Sequence, residues 1–120
     1  MRNMSFMHTA DHIRSRTKTV TRRLGWSFLK TGDLVMACDK TRGVKAGQIV
    51  RICPIKIISV TKVPLTPMSP EELSREGFPQ MTEAEFVQLF FGINKGTGMC
   101  HVNRIEFTYD LGDSHDYSRL

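Results

Sequence analysis

Residues 13–32 bring together cations, hydroxyls and one large aromatic ring, a combination that suits an anionic, flat-ringed ligand. The stretch holds Arg14, Arg16, Lys18, Arg22, Arg23 and Lys30, six of the chain's 17 basic residues, and no acidic residue. Thr17, Thr19 and Thr21 are threaded between those charges, and Trp26, the only tryptophan, follows them. Guanidinium groups bind phosphates in a bidentate fork, and an indole offers a face on which a base can stack. A nucleotide or RNA is the ligand class this pattern indicates. The same charges would serve as a solvated basic surface on a small domain, and charge alone does not separate the two.

Other chemistries find little support. Gly92-Ile93-Asn94-Lys95-Gly96-Thr97-Gly98 has the lysine and threonine of a phosphate loop at the wrong spacing, and no dinucleotide fingerprint follows a strand. His8 and His12 lack both an acid between them and a third ligand, so no metal is expected. Cys38, Cys53 and Cys100 are odd in number and far apart, which argues against a disulfide framework and a cysteine zinc site. Two groups remain. One is Lys18, Thr21 and Arg23. The other is the acidic set Glu71, Glu72, Glu76, Glu83 and Glu85. Most of these glutamates fall in helix first turns, where they offset the macrodipole or close capping boxes. Glu76 falls at the far end of a short helix, where a negative charge needs another reason, and a cation from the basic stretch would supply one.

The elements that must position these residues can be read from periodicity and turn chemistry. Thr9 opens a short helix running to about Arg16, and the β-branched run Thr17 to Thr21 then turns the chain extended or looped. Lys30 to Asp33 is a turn, Leu34 to Cys38 a buried strand, and Thr41 to Gly47 a loop. Gln48 to Val63 is the strongest strand signal, with Pro54 marking a bulge, an edge or a break. Ser69-Pro70-Glu71-Glu72 and Thr82-Glu83-Ala84-Glu85 have the form of capping boxes. The second opens a helix whose Phe86, Val87, Leu89, Phe90 and Phe91 should be core, followed by a loop over residues 92–98. Val102, Ile105, Phe107 and Tyr109 form a last strand, and residues 110–120 read as a loosely attached tail. Short helices interrupting strands without regular alternation predict an α+β fold, a small, mostly antiparallel barrel with helices on its rim.

The 120 residues suffice for one domain with a real core, and 40% hydrophobic with 24% charged content is ordinary for a globular chain. A net charge of +5 favours acidic partners. No leader or membrane span is read, so a reduced, cytoplasmic protein without a membrane partner is expected.

The pattern resembles the ASCH domain, a family of the PUA-like superfamily of small β-barrels. The family signature is approximately GxKxxTxR. Here Lys18, Thr21 and Arg23 match it, and Arg16 stands in the glycine's place. Leu29 to Asp33, Arg75 to Pro79 with Met81-Thr82, and Arg104 to Phe107 carry further similarity. The resemblance implies binding of RNA or nucleotides, and for some members ribonuclease activity. In a small bacterial branch it implies hydrolysis of the exocyclic amide of N(4)-acetylcytidine and related acylated cytosines, without metal or organic cofactor. That branch's lysine, threonine and glutamate carry over to Lys18, Thr21 and Glu76. Arg22 and Arg23 would meet a phosphate or carbonyl, and Trp26 or Phe78 would stack on a pyrimidine. Arg23 would serve equally as a buried partner of Glu106 or Glu76, and Trp26 equally as core.

In this reading a neutral Lys18 takes the Thr21 proton while Glu76 holds the base or carries the proton on; alternatively Glu76 activates water and a charged Lys18 stabilises the oxyanion. One geometric demand follows. Residues three apart on a regular strand face opposite ways, so a flat strand from Thr17 to Arg23 would separate Lys18 from Thr21.

Overall fold

The computed structural model of the chain describes residues 1–94 and 101–112. One sheet organises them. Its strands are β1 (Arg2–Ser5), β2 (Val20–Arg23), β3 (Leu34–Cys38), β4 (Arg51–Pro64) and β5 (His101–Thr108), in the spatial order β1-β3-β4-β5-β2. Helix α1 (Ala10–Arg14) follows β1, and α2 (Pro70–Glu76) and α3 (Glu83–Ile93) lie between β4 and β5. The α+β class and the mostly antiparallel pairing hold, and the barrel is corrected in its closure. β1 pairs with β3 in parallel, whereas the other three pairings are antiparallel. The sheet curls only into a half-barrel, because no ladder joins edge strands β1 and β2 among the described residues.

β4 runs unbroken through Pro54, which pairs with Met36 of β3. Its register with β5 begins only at Lys56, so Pro54 lies where β4 has a single strand neighbour and its missing N–H interrupts no central ladder. Two apolar clusters flank the curl. Met4, Phe6, Ile13, Val35, Ile55, Ile57, Ile105 and Phe107 fill the first, and Leu65, Met68, Leu73, Phe86, Phe90 and Val102 the second. Each such side chain contributes about 1.5–3 kcal/mol when taken out of water.

Both helices beside the second cluster start as their sequences direct. Thr82 and Glu85 form the complete reciprocal box of α3, and Phe86 and Phe90 lie on its buried face. The helix continues through Gly92 to Ile93, beyond the expected stop. Ser69 caps α2 by accepting from the Glu72 N–H, with Pro70 in the first turn. The other half of that box is absent, because the Glu72 carboxylate is drawn instead to Arg22 and Arg104. α1 is shorter than expected, and Thr9 starts it without a side-chain cap. The expected loop over residues 95–98, Cys100 and the tail from 113 onward lie outside the described residues.

Candidate functional site

The chain enters the site through a tight turn after α1. Arg16 adopts φ 62°, the left-handed region that glycine enters freely and that costs an arginine about 1–2 kcal/mol. Arginine therefore makes a glycine-type turn here. The N–H groups of Thr17 and Lys18 both return to the His12 carbonyl, and the Lys18 carbonyl accepts from the Tyr109 hydroxyl at 2.6 Å. β2 begins only at Val20, so Lys18 stands in the approach to the strand and Thr21 within it. The segment is not a flat strand. Both side chains are buried, and both line one cavity of about 630 Å³.

Glu76 closes the cavity from α2. Its backbone carbonyl accepts a hydrogen bond from the Lys18 Nζ, which also lies 3.6 Å from Glu76 Oε1. Arg22 binds the same carboxylate twice, donating from its backbone N–H to Oε1 at 3.0 Å and from Nη1 to Oε2 at 2.9 Å. The acid at the end of α2 thus has its cations. Arg22 Nη2 reaches Glu72 at 2.7 Å, and Glu72 is gripped in turn by Arg104. Hydrogen bonds from Arg104 first, and from Arg22, hold the Glu72 carboxyl down to about 2 despite partial burial. Arg22 therefore fastens β2 to α2, with both terminal nitrogens used inside the protein and its buried Nε without a partner among the described residues.

Burial dominates the electrostatics of Lys18. Desolvation lowers its ammonium to about 8, Glu76 opposes that shift, and Arg23 and Arg22 add to it. The rings of Phe6 and Phe78 each lie 5.8 Å from its Nζ. Such an amine can exchange a proton near neutral pH.

Arg23 is half-buried, and no carboxylate is bound to it among the described residues. It donates from Nε to Thr21 Oγ1 at 3.0 Å and from Nη2 to the Ser5 carbonyl at 2.6 Å, above the Phe6 ring. Desolvation lowers its guanidinium to about 10, so it stays charged at neutral pH. Glu106 pairs with Arg75 and Arg104 instead of Arg23. Because Thr21 Oγ1 accepts from Arg23, its own proton is free to be donated elsewhere. Trp26, at φ 69°, packs on the first cluster and lines the cavity as well. Phe78 does the same from the second cluster, 5.6 Å from Phe86.

Sequence reasoning missed several wall residues. Ser5 and Phe6 escaped because β1 carries no strand periodicity. Leu89, expected in the core, is half-buried and faces the cavity with Ile93. Lys40 and Arg42, on the β3–β4 connection, reach the mouth. Only their charge signalled them. A second, smaller cavity of about 340 Å³ lies between Arg16 and the half-buried Cys53.

No protein-family model and no curated protein sequence matches this chain. Among solved structures, the ASCH domain from Lactobacillus crispatus aligns with a TM-score of 0.60 at 16% identity, over 89% of this chain and 79% of that one. The half-barrel with its helices is the fold of an ASCH domain. No described helix is long and apolar enough to cross a membrane.

Proposed function

We propose that this chain is an ASCH-family amidohydrolase that cleaves the exocyclic amide of N(4)-acylated cytosine nucleosides. One observation carries the reading: a buried lysine lowered to about 8 touches Glu76 on the wall of a cavity that also presents the Thr21 hydroxyl. Thr21 Oγ attacks the acyl carbonyl carbon as its proton passes to neutral Lys18. The tetrahedral intermediate collapses, the C–N bond breaks, and Lys18 returns the proton to the departing cytosine amine. Water then hydrolyses the threonine ester with Lys18 again as base, releasing a carboxylic acid and restoring Thr21. Arg23, already bonded to Thr21 Oγ1, stabilises negative charge on the reacting oxygens. Both Glu76 oxygens accept from Arg22, which suits a group that holds the base better than one that activates water. Trp26 and Phe78 offer faces for the pyrimidine.

The test is release of cytidine from a panel of acylcytidines. Thr21→Val, which keeps the shape, should lose at least ~10³-fold in kcat/KM, a general acid–base and nucleophilic contribution of the usual size, while melting near the wild type. Thr21→Ser should retain turnover. Wild-type protein that leaves the whole panel intact ends the proposal. A nucleotide- or RNA-binding module without turnover is the second reading. It is favoured by the cavity's excess of cations, and it requires affinity without product.

A further inference from the structure

The cavity lining holds five cations and one carboxylate: Lys18, Arg22, Arg23, Lys40 and Arg42 against Glu76. Lys18 and Arg22 are neutralised by Glu76, with Glu72 sharing Arg22. The other three have no direct carboxylate partner among the described residues, although Glu76 acts on Arg23 through space. Arg23 is bonded only to neutral oxygens, and no ion pair forms at Lys40 or Arg42 among the described residues. All three line the same cavity, and a short relay ties Arg23 to the start of the β3–β4 connection. Arg23 donates to the Ser5 carbonyl, and Ser5 Oγ donates at 2.9 Å to the carbonyl of Asp39, the residue before Lys40. The Lys40 side chain lies back over Gly43, whose φ is 75°.

Arg23 is half-buried and offset by Glu76 without a direct bond, so part of its charge remains on the wall, and anion binding lowers that cost. Further out, where solvent reaches Lys40 and Arg42, two unpaired cations on one short segment form a site for a doubly charged group. The uncharged nucleosides of the previous section leave this charge unanswered.

We propose that Lys40 and Arg42 form a phosphate subsite at the cavity mouth, so that the ligand is a nucleotide, its base inside beside Lys18 and Phe78 and its phosphate outside on the β3–β4 connection. This rests on the cavity being the nucleoside site, and it adds the group that distinguishes a nucleotide from a nucleoside. The phosphate belongs either to a free nucleotide or to an RNA strand.

Binding tests this without any turnover. Calorimetric titration of the wild type and the Lys40→Ala/Arg42→Ala double variant would use cytidine, cytidine 5′-monophosphate, cytidine 3′-monophosphate and a short cytidine-containing RNA. The wild type should bind at least one phosphorylated probe ~10-fold or more tightly than cytidine, equivalent to about 1.4 kcal/mol. That preference should fall to near one in the double variant and shrink with added salt. A preference for monophosphates identifies a free nucleotide, and a preference for the oligonucleotide alone identifies RNA. Equal affinity for cytidine and every phosphorylated probe overturns the subsite, as does a preference that survives the double substitution. A Lys40→Glu/Arg42→Glu variant should favour cytidine over its monophosphates, and unchanged selectivity there also overturns it. Acylcytidine turnover is scored separately, so loss of the enzymatic reading leaves this result standing.

Discussion

Lys18 is where burial and function meet most directly. Its ammonium sits between two phenyl rings and beside Glu76, yet desolvation outweighs that carboxylate and brings the group to about 8 from an ordinary 10.5. Two consequences follow with definite sign. On the proposed mechanism, a base at about 8 is neutral in about a tenth of molecules at pH 7, so kcat/KM should rise through an apparent pKa near 8 and then level. For stability, the unfolded chain holds a proton on Lys18 that the folded chain has shed between pH 8 and 10.5, so the Lys18 contribution to unfolding free energy increases with pH in that window. The increase is about 3 kcal/mol, and below pH 8 the full cost of burying the charge is present. Lys18→Met removes that cost and leaves Glu76 bound to Arg22. The variant should be inactive, at least as stable as the wild type at pH 7, and without the added stability between pH 8 and 10.5. Urea midpoints across that range measure it. A clear loss of stability at pH 7 would mean the lysine is a structural tie and not a strained base.

Helix α2 is the element that makes the site possible, because its seven residues present Glu72 and Glu76 one turn apart to the arginines of β2 and β5. Its last turn is fixed by Gly77, at φ 100°, where an added Cβ would come within 3.0 Å of Thr9 Cγ2 on the neighbouring α1 segment. Gly77→Ala meets both the left-handed penalty and that contact. It should cost about 1–3 kcal/mol and lower activity by displacing Glu76, although it touches none of the reacting groups. Thermal melts and kcat/KM on the same sample test the coupling, and an alanine variant with wild-type values in both would refute it. This element also shows what could be read in advance. The Ser69 cap, Pro70 and the need of Glu76 for a cation were all visible, since each is local chemistry at a fixed offset. The diversion of Glu72 from its capping box to Arg104, 32 residues away, was not. β1 was hidden for a similar reason. Of Arg2–Ser5 only Met4 is buried, so four residues carry no alternation, and their parallel pairing with β3 is set by tertiary contacts. The left-handed turns at Arg16 and Trp26 lacked the glycine that usually announces them.

At the scale of the whole molecule, the cavity exists because the barrel does not close. β1 and β2 are the two ends of the sheet, and a side chain crosses between them where a ladder would have been: Arg23 of β2 reaches the Ser5 carbonyl of β1. The opening is walled by Phe6 and Trp26 of the first apolar cluster and by Phe86 and Phe90 of the second, on α3, so it draws on both. A ligand that fills it should bind the two walls into one unit. With the non-turning Thr21→Val protein and N(4)-acetylcytidine at a hundredfold over Kd, mass action adds about 2.7 kcal/mol to unfolding. Hydrogen exchange locates that gain. Amides of β2 and of α3 should slow together, because an opening that separates the clusters must first expel the ligand. Protection confined to α3, or to β2 alone, would mean the ligand rests on one wall, and the unclosed edge would then be a gap in the sheet with no part in binding.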